Sequence, residues 1–319
     1  MIIFYTVLTN KSGMGNYIRT RQIYNQVKET IEAQLFVQTD DIKLKKINDK
    51  EIHGPKHLIR KDVFGIVKSG SCYLVSDFPS IDGEDLDIHS HRNILLTFSL
   101  NDSTVSLINP DYYFNTDDLI IPSPQTKSFV GFQYQIIRDE VLNLERKKPS
   151  RVIQKIGVMF GGSDPGNLTE QFISLIKNCT GLNKFHFLIL VGEKFSQHRV
   201  KKLKESNCCF NVSFLFSSDL IKFYNEIDCL INMGGMSTYE ALYLGINVCS
   251  VEWEYMTPYV RIQNKRLGTS NLGAISDSAN NLSKLLNLFK TNSNNVVTRK
   301  IIDGLGSKRI SKIIMEVCG

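Results

Sequence analysis

The fold is constrained most by a pattern of apolar strands, glycine-rich turns and amphipathic helices that begins twice in the chain. The first strand, at 2–8, leads through a turn at 11–15 into a helix predicted over 16–32. The same succession restarts with a strand at 152–160 and a turn at 161–165. Strands that alternate with helices form parallel sheets covered by helices on both faces. We therefore predict an α/β protein with two Rossmann-like domains.

The domain boundary is predicted where this pattern is interrupted. Between 111 and 150 the periodicity weakens, and we place an interdomain linker at 146–150, which combines three basic residues with a proline. The chain of 319 residues has the length of two ordinary domains. The predicted parts are an N-terminal domain at 1–145, a C-terminal domain at 151–303 and a final helix at 304–319. Further buried strands are predicted at 35–37, 72–75, 94–98, 185–191, 210–216, 228–232 and 246–251.

Composition and charge exclude several classes of protein. Apolar residues make up 42% of the chain, which is too large a share for a disordered protein. No apolar run approaches the roughly 18 residues of a transmembrane helix, and the first residues lack the basic region of a signal peptide. The net charge is +6, but the basic residues are not clustered with aromatic side chains as in nucleic-acid-binding proteins. We expect no nucleic-acid partner, and the modest positive charge suits an anionic small substrate.

The seven cysteines have neither the even number nor the spacing of a disulfide framework. Scattered thiols without a C-x-x-C motif are typical of a reducing compartment. The histidines do not indicate a metal site, because His53 and His57 straddle a Gly-Pro pair and His89 and His91 lie in a polar segment. We predict a cytoplasmic protein without a bound metal.

Three glycine-rich turns, at 12–19, 160–165 and 231–242, each lead into a helix. The N-terminus of a helix presents free backbone N–H groups and the positive end of the helix dipole, and both attract anions. The first turn resembles an incomplete dinucleotide-binding motif, which alone is a weak signal. In the second turn, Asp164 or Asn167 is placed to cap the following helix. Each of these turns also fits a helix start that binds no ligand.

The third turn is the most informative of the three. Gly234 and Gly235 permit a ligand to approach the backbone closely, and Ser237 and Thr238 add hydroxyl donors. Glu240, in the first turn of the helix, can accept hydrogen bonds from a ribose diol. This combination indicates a nucleoside diphosphate. The motifs of a nucleophile elbow and of a P-loop are absent from the sequence.

Four segments occur in an order that resembles the PseG-like UDP-sugar hydrolases of pseudaminic acid biosynthesis and the related spore-coat polysaccharide proteins. These segments are 13–19, 160–169, 234–240 and 303–310. That family is similar to the MurG-like glycosyltransferases of the GT-B fold. The resemblance implies two Rossmann-like domains that face a cleft, a nucleotide held mainly by the second domain, and a final helix that returns to the first.

The resemblance also implies the residues of the site. The nucleotide would be bound by residues of the second and third glycine-rich turns: Gly162, Ser163, Gly234, Gly235, Met236, Ser237, Thr238 and Glu240. The rest of the substrate would be contacted from the first turn and from a pair late in the chain: Gly13, Gly15, Arg19, Gln263 and Asn264. The implied partner is a UDP-linked amino sugar. No metal or other cofactor is implied, because a helix dipole and backbone amides can neutralise the leaving diphosphate.

The sequence departs from the family at the position of its expected general base. The family's first turn reads G-x-G-H, whereas this chain has Asn16, whose amide can orient water but cannot take its proton. Loss of a general base typically costs ~10²–10⁴ in rate. Asp77, at the end of a predicted strand, is the first candidate to replace it, and His89 and His91 are further candidates.

Three activities fit this departure. We predict hydrolysis of a UDP-amino sugar in bacterial surface-glycan biosynthesis of the nonulosonic acid type, with Asn16 and Asp77 at the catalytic centre. Transfer of the sugar to another sugar or to a lipid-linked alcohol is the first alternative, because that reaction uses the same donor. Binding of a nucleotide sugar without turnover is the second.

Overall fold

A computed structural model describes residues 1–9, 14–40, 45–48, 50–100, 103–148, 150, 152–205, 211–288 and 301–319, with the backbone alone at 45–48, 217 and 287–288. The described chain forms two compact units. The first comprises Met1–Arg138 and Gly304–Gly319, and the second comprises Asp139–Asp303. The last residues of the chain therefore belong to the first unit.

The first unit is an eight-stranded sheet with helices on both faces. Its strands are β1 (Ile2–Leu8), β2 (Ala33–Thr39), β3 (Lys45–Asn48), β4 (Glu51–Gly54), β5 (Cys72–Asp77), β6 (Ile94–Ser99), β7 (Tyr112–Asn115) and β8 (Lys127–Val130). Their order across the sheet is β3-β4-β2-β1-β5-β6-β7-β8, and only β3 and β4 pair in an antiparallel manner among the described strands. The helices are α1 (Gly15–Val27), α2 (Lys56–Ser69), α3 (Gly83–His89), α4 (Val105–Ile108) and, at the end of the chain, α12 (Gly306–Cys318).

The strand order reverses at β1, which lies between β2 and β5. Ligands of open α/β sheets bind beyond the carboxyl ends of the strands at such a reversal. Thr6 of β1 lies opposite both Val37 of β2 and Asp77 of β5, and Val37 lies opposite His53 of β4. Residues in register across a parallel sheet point to the same face. These four side chains therefore form a row beneath the N-terminal end of α1.

The final helix, α12, packs against α1. Ile310 and Ile314 are buried in the same apolar cluster as Ile23 of α1. The helix begins so close to the preceding chain that a Cβ at Gly306 would lie 2.1 Å from the carbonyl oxygen of Gln135. Glycine is therefore required where α12 joins the first unit.

The second unit is a six-stranded sheet in which all neighbouring strands are parallel. Its strands are β9 (Lys155–Val158), β10 (His186–Val191), β11 (Val212–Phe216), β12 (Cys229–Asn232), β13 (Asn247–Glu252) and β14 (Ser270–Ala274), in the order β11-β10-β9-β12-β13-β14. Its helices are α5 (Asp139–Leu142), α6 (Leu168–Lys177), α7 (Gln197–Glu205), α8 (Leu220–Glu226), α9 (Met236–Leu244), α10 (Thr257–Leu267) and α11 (Ile275–Leu288). The strand order reverses between β9 and β12, and the second and third glycine-rich turns follow these two strands.

Most predicted elements are present, and β1 has the predicted bounds. The helix predicted over 16–32 is shorter and ends at Val27, because the chain must turn back before β2 begins at Ala33. The strand predicted over 152–160 is reduced to β9. Within the described ranges, no helix has the length and apolarity needed to cross a bilayer.

The structure corrects the predicted linker. The chain divides after Arg138 rather than at 146–150. Arg146 Nε donates a hydrogen bond to the carbonyl oxygen of Tyr243 over 2.8 Å, and its guanidinium lies 4.3 Å above the Tyr243 ring. Lys147 Nζ donates to the carbonyl oxygen of Tyr224 over 2.8 Å. These basic side chains bind carbonyl groups of the second unit, so the segment is part of that unit.

Candidate functional site

The turn between β12 and α9 has a backbone that only glycine adopts easily. Gly234 and Gly235 have φ angles of +91° and +77°, in the left-handed region. Asn232, the last residue of β12, fixes the turn: its Oδ1 accepts from the Gly234 N–H over 3.1 Å, and its Nδ2 donates to Ser237 Oγ over 2.9 Å. No described side chain caps α9. The turn therefore presents the uncapped N-terminus of a helix at the strand reversal.

Gln263 of α10 lies next to this turn. The side chain is 1% exposed, and neither its Nε2 nor its Oε1 has a hydrogen-bond partner among the described residues. A Cβ placed on Gly234 would lie 3.5 Å from Gln263 Oε1, which shows how close the amide is to the turn. A buried amide without partners costs about 1–3 kcal/mol. This amide is therefore the candidate contact of a ligand that reaches beneath the turn.

Asn264, its neighbour in sequence, points elsewhere. It is exposed, and its Nδ2 donates to the carbonyl oxygen of Thr269, beyond the end of α10. The structure therefore brings the Gln263 side chain to the glycine turn, whereas the Asn264 side chain is bound to the chain beyond the C-terminus of α10. The predicted contacts of both residues with the substrate stay predictions.

The four predicted residues of α9 differ in accessibility. Met236 and Ser237 are partly exposed in the first turn of the helix. Thr238 is buried, and its Oγ1 accepts from Asn232 Nδ2 over 2.9 Å. Glu240 is fully buried, and its Oε2 accepts from the Tyr224 hydroxyl over 2.8 Å. The ribose contacts of Thr238 and Glu240 stay predictions, and they require a ligand to reach side chains that the protein covers.

The turn between β9 and α6 is occupied by the protein's own carboxylate. Asp164 accepts hydrogen bonds from the backbone N–H groups of Leu168 and Thr169 over 2.8 and 3.0 Å. Of the two residues that the sequence offered as the cap of α6, it is Asp164 that caps the helix. Arg199 of α7 pairs with this carboxylate and donates to the carbonyl oxygen of Ser163 over 3.2 Å. The carbonyl oxygen of Gly162 accepts from the backbone N–H of Lys194 over 3.0 Å. The first backbone N–H groups of α6 are therefore already bound by a carboxylate of the protein itself.

Trp253, the single tryptophan of the chain, lies against the same turn. A Cβ on Gly166 would lie 2.6 Å from the indole Nε1, and the indole meets the Tyr255 ring edge-on at 5.5 Å. Gly161 in turn lies beside Met233, since a Cβ there would be 3.4 Å from Met233 Cε. The second and third glycine-rich turns are therefore neighbours.

In the first unit, Asn16 and Arg19 of α1 both bind the carboxylate of Asp77. Asn16 Nδ2 donates to Oδ1 over 2.6 Å, and Arg19 donates to Oδ1 and Oδ2 over 2.8 and 2.9 Å. Asp77 is fully buried at the end of β5. Gly15 begins α1, whereas Gly13 lies outside the described residues. One turn of α1 and the distant end of β5 thus form one cluster at the strand reversal.

The carboxylate of Asp77 is held by three hydrogen bonds, and its catalytic role stays a prediction. Both oxygens accept charge-assisted hydrogen bonds from Arg19, and Oδ1 also accepts from Asn16. Asp77 holds the Asn16 amide in one orientation, in which Nδ2 faces the carboxylate. The opposite group, Asn16 Oδ1, has no partner among the described residues and can accept from a bound hydroxyl.

The two histidines named as alternatives lie away from this cluster. His89 Nδ1 lies 2.7 Å from the carbonyl oxygen of Asp85, and burial lowers the pKa of His89. Asp85 accepts from the Tyr5 hydroxyl over 3.1 Å, so α3 packs on the sheet face opposite α1. His91 Nδ1 accepts from the backbone N–H of Asn93 over 3.3 Å.

A second buried polar cluster, which sequence analysis missed, lies on the other side of α1. Glu51 Oε1 accepts from the Tyr17 hydroxyl over 2.7 Å and lies 2.8 Å from His53 Nε2, and Arg21 Nε lies 3.5 Å from Oε2. Burial by itself raises the pKa of Glu51, but the hydrogen bonds from His53 and Tyr17 and the charge of Arg21 outweigh burial and hold it below 4.5. The alternation Glu-x-His on a strand was the available signal.

Cysteines and metal-ligating groups add no further site in the part of the chain that the structure describes. The five described cysteines, Cys72, Cys179, Cys229, Cys249 and Cys318, carry free thiols, and the adjacent pair at 208–209 lies outside the described residues. No group of three or more histidine, cysteine or acidic side chains in these ranges is arranged to hold a metal ion.

No family model matches the sequence. An uncharacterized protein of Methanocaldococcus jannaschii is 26% identical over 276 residues, which cover 74% of this chain and 52% of that protein. The chain thus spans about half the length of the curated relative that it matches.

Solved structures resemble the whole described chain. MurG of Acinetobacter baumannii has a TM-score of 0.60 at 10% identity, with 99% of this chain and 100% of that chain covered. UDP-GlcNAc 2-epimerase of Neisseria meningitidis, bound to UDP-GlcNAc, has a TM-score of 0.63 at 11% identity over 99% and 100% of the two chains. WaaG, a glycosyltransferase involved in lipopolysaccharide biosynthesis, has a TM-score of 0.62 at 11% identity over 98% and 99%. These likenesses show the GT-B fold, as the motifs implied.

Proposed function

We propose that this chain is an enzyme that uses water to displace UDP from the anomeric carbon of a UDP-linked amino sugar. The reaction belongs to bacterial surface-glycan biosynthesis of the nonulosonic acid type. The observation that carries the proposal is the buried, unpartnered amide of Gln263 beside the uncapped start of α9. The motif resemblance to PseG-like hydrolases supports the amino sugar and the hydrolysis. The fold supports a nucleotide-sugar substrate, since one similar structure holds UDP-GlcNAc.

The diphosphate binds at α9 rather than at α6. The Asp164 carboxylate already accepts two backbone N–H groups of α6, so a second anion there would be repelled. The start of α9 has no such carboxylate, and Gly234 and Gly235 have no side chain to keep a phosphate from the backbone. Met236 and Ser237 add the first N–H groups of the helix and a hydroxyl. Because Gly162 and Ser163 belong to the neighbouring turn, they line the same site.

The leaving diphosphate needs its developing charge stabilised, and the attacking water needs to be oriented. The C–O bond to UDP breaks with its electron pair going to the diphosphate, and the positive end of the α9 dipole stabilises that charge. In the first unit, Asp77 and Arg19 hold the side chain of Asn16 in place, so that its Oδ1 can accept a hydrogen bond from water. Asn16 cannot remove the proton of that water.

Glycosyl transfer is the second candidate function. The observation that favours it is Asn16, which stands where the family has its histidine and has no basic nitrogen to take a proton from water. Two of the similar structures, MurG and WaaG, are glycosyltransferases. A transferase would release UDP only in the presence of a sugar or lipid-linked alcohol.

Nucleotide binding is tested by calorimetric titration of the full chain with UDP and with UMP. We expect UDP to bind at least tenfold more tightly than UMP, because its second phosphate meets the start of α9. Gly234→Ala should abolish this preference, since alanine is strained at φ +91° and its Cβ would lie 3.3 Å from Met256 and Val260. Gly65→Ala in α2 is the matched control, because a Cβ there meets nothing within 4 Å. Equal affinity for UDP and UMP contradicts the proposed site.

A further inference from the structure

Asn232, the last residue of β12, has all of its hydrogen-bonding capacity filled. A primary amide can accept two hydrogen bonds at its oxygen and donate two from its nitrogen. Asn232 Oδ1 accepts from the Gly234 N–H over 3.1 Å and from Ser250 Oγ over 2.7 Å. Asn232 Nδ2 donates to Ser237 Oγ and to Thr238 Oγ1, each over 2.9 Å. This fully buried side chain therefore joins the end of β12 to β13 and to the first turn of α9.

The backbone N–H of Gly234 determines which way this amide is turned. A backbone N–H can only donate, so the amide atom that faces it is the oxygen. The amide nitrogen then faces the two hydroxyl groups of α9, and each hydroxyl has to accept from it. A hydroxyl that accepts from an amide has its single hydrogen left for another acceptor. Asn232 therefore makes both of these hydroxyls available as donors.

Ser237 is the hydroxyl that a ligand can reach. It is partly exposed in the first turn of α9, whereas Thr238 is fully buried. Its hydrogen can be donated to the carbonyl oxygen of Gly234, but the 3.5 Å separation exceeds the roughly 2.5–3.0 Å of a good O–H···O hydrogen bond. The Ser237 hydrogen is thus available to a better acceptor at the start of the helix.

The turn also determines which kind of ligand group it can bind. Because the Gly234 N–H is bound to Asn232, the N–H groups that remain for a ligand are those at the start of α9. These N–H groups, the Ser237 hydrogen and the positive end of the helix dipole all favour an acceptor with negative charge. The Gln263 amide, buried and without partners among the described residues, lies beside the same turn. The turn is therefore suited to a phosphate oxygen and not to a cation.

We propose that Asn232 is a positioning residue of the diphosphate site, where it turns the Ser237 hydroxyl so that this group donates to a phosphate oxygen of UDP. The inference rests on the proposed function, and both residues belong to the second unit. Asn232 itself does not bind the ligand, since the protein occupies all four of its hydrogen-bonding positions. The hydrogen bond from Ser237 strengthens as UDP leaves, because the diphosphate then gains the electron pair of the broken bond.

The test is a double-mutant cycle on UDP binding, measured by calorimetry with the full chain. Asn232→Asp keeps the size of the side chain and the contacts of its first oxygen, but its second oxygen only accepts, so the Ser237 hydrogen turns toward it. Ser237→Ala should weaken UDP binding about tenfold in the wild-type chain, as expected for a hydrogen bond to a charged group. In the Asn232→Asp chain, Ser237→Ala should change UDP affinity less than about twofold, because the hydroxyl no longer donates to phosphate. Equal losses in the two chains overturn the assignment.

Control chains separate this effect from charge and from folding. Asn232→Asp also adds a negative charge near the phosphate, but that repulsion is present with and without the Ser237 hydroxyl and cancels in the cycle. Asn178→Asp, at the exposed C-terminal end of α6, adds the same charge to the same unit and should leave UDP affinity within about twofold. If Asn232→Asp does not fold, Asn232→Ala removes the amide without adding charge. Ser237→Ala should then cost less than about threefold, and a full tenfold loss overturns the assignment.

Comparison with UMP separates this inference from the function on which it rests. If the wild-type chain prefers UDP to UMP and the two substitutions are additive, the diphosphate site stands and the role of Asn232 is overturned. If the wild-type chain binds UDP no more tightly than UMP, the proposed diphosphate site itself fails, and this inference falls with it.

Discussion

Gln263 carries the strongest single indication of a ligand in the second unit. Its amide is buried, both of its polar atoms lack partners among the described residues, and it lies beside Gly234. Proteins rarely retain such a group unless something else satisfies it. At the scale of single residues, a substitution that removes this amide should therefore stabilise the folded chain and weaken its binding of UDP.

Replacing Gln263 with leucine tests this opposition. Without UDP, Gln263→Leu should raise the free energy of unfolding by about 1 kcal/mol, because an unsatisfied amide is removed from the interior. The affinity for UDP should fall at least tenfold, because the ligand loses its partner. Urea unfolding and calorimetry measure the two effects. Asn264→Ala, at an exposed neighbour, should leave UDP affinity unchanged, and a Gln263→Leu chain with wild-type affinity would contradict the account.

The ionised carboxylate of Glu51 should make the free energy of unfolding depend on pH in the acidic range. Its pKa is held below 4.5 in the folded state, so it contributes stability above pH 4.5 that is lost as the pH falls through the folded value. The free energy of unfolding of wild type should therefore fall more steeply below pH 4.5 than that of Glu51→Gln. Urea unfolding at pH 7, 5, 4 and 3 measures the difference. Parallel pH dependences of the two chains would show that the Glu51 carboxylate is not held by its neighbours.

The sequence predicted one of the two polar clusters of the first unit. Asn16, Arg19 and Asp77 were identified because motif resemblance marks the turn and because a strand end places Asp77 near it. His53 was considered only as a metal ligand paired with His57. Its contact with Glu51 depends on β4 lying beside β2, and strand order is a long-range property that the local pattern does not contain.

At the scale of elements, the helices that follow β9 and β12 differ in whether a side chain caps their N-terminus. The start of α6 is neutralised by Asp164 and Arg199, whereas the start of α9 is left uncapped. The first stabilises the unit, and the second is available for an anion. Glycine-rich turns that look alike in sequence can therefore differ in whether their helix start is free to take an anion.

Removal of the α6 cap should destabilise the second unit. Asp164→Ala should lower its free energy of unfolding by about 1–3 kcal/mol, because two backbone N–H groups lose their acceptor and Arg199 keeps only Glu170 as an ion-pair partner. The single tryptophan, Trp253, lies in this unit, so its fluorescence during urea unfolding reports the change. Gln171→Ala, on the exposed side of α6, should cost less than about 0.5 kcal/mol. A cost for Asp164→Ala no larger than that of the control would contradict the cap.

Strands β7 and β8 are two elements that the sequence pattern did not predict. Each has four residues, too few for a periodicity to be read. They are held by aromatic contacts across the sheet: the rings of Phe98 and Tyr112 stack at 4.9 Å, and those of Phe114 and Phe129 at 5.2 Å. Such contacts join strands distant in sequence, so the region between 111 and 130 was interpreted as a loosening of the pattern.

At the scale of the whole molecule, the last helix of the chain belongs to the first unit. The division into Met1–Arg138 with Gly304–Gly319 and Asp139–Asp303 means that the first unit is complete only when the second has been traversed. Both units have a strand reversal with a glycine-rich turn beside it. The motifs predicted this architecture well, because each turn is local and its order along the chain is specific.

A cavity beneath the last helix should destabilise the first unit selectively. Ile314 is fully buried against α1, so Ile314→Ala should cost about 2–5 kcal/mol. Circular dichroism should register an earlier unfolding transition, whereas the fluorescence of Trp253, in the second unit, should keep its wild-type midpoint. Lys312→Ala on the exposed side of α12 is the control, expected within about 0.5 kcal/mol. A fluorescence midpoint that moves as far as the dichroism midpoint would contradict a selective effect.

The central claim is that this chain releases UDP from a UDP-amino sugar with water as the acceptor. A ¹H and ³¹P NMR time course of the purified chain with a UDP-2,4-diacetamido-trideoxy sugar, and no added acceptor, tests it directly. We predict the appearance of UDP together with a free reducing sugar. An unchanged substrate whose signals broaden with added protein would contradict hydrolysis and point to a transferase or a binding protein. Unchanged, sharp signals would contradict the proposed substrate itself.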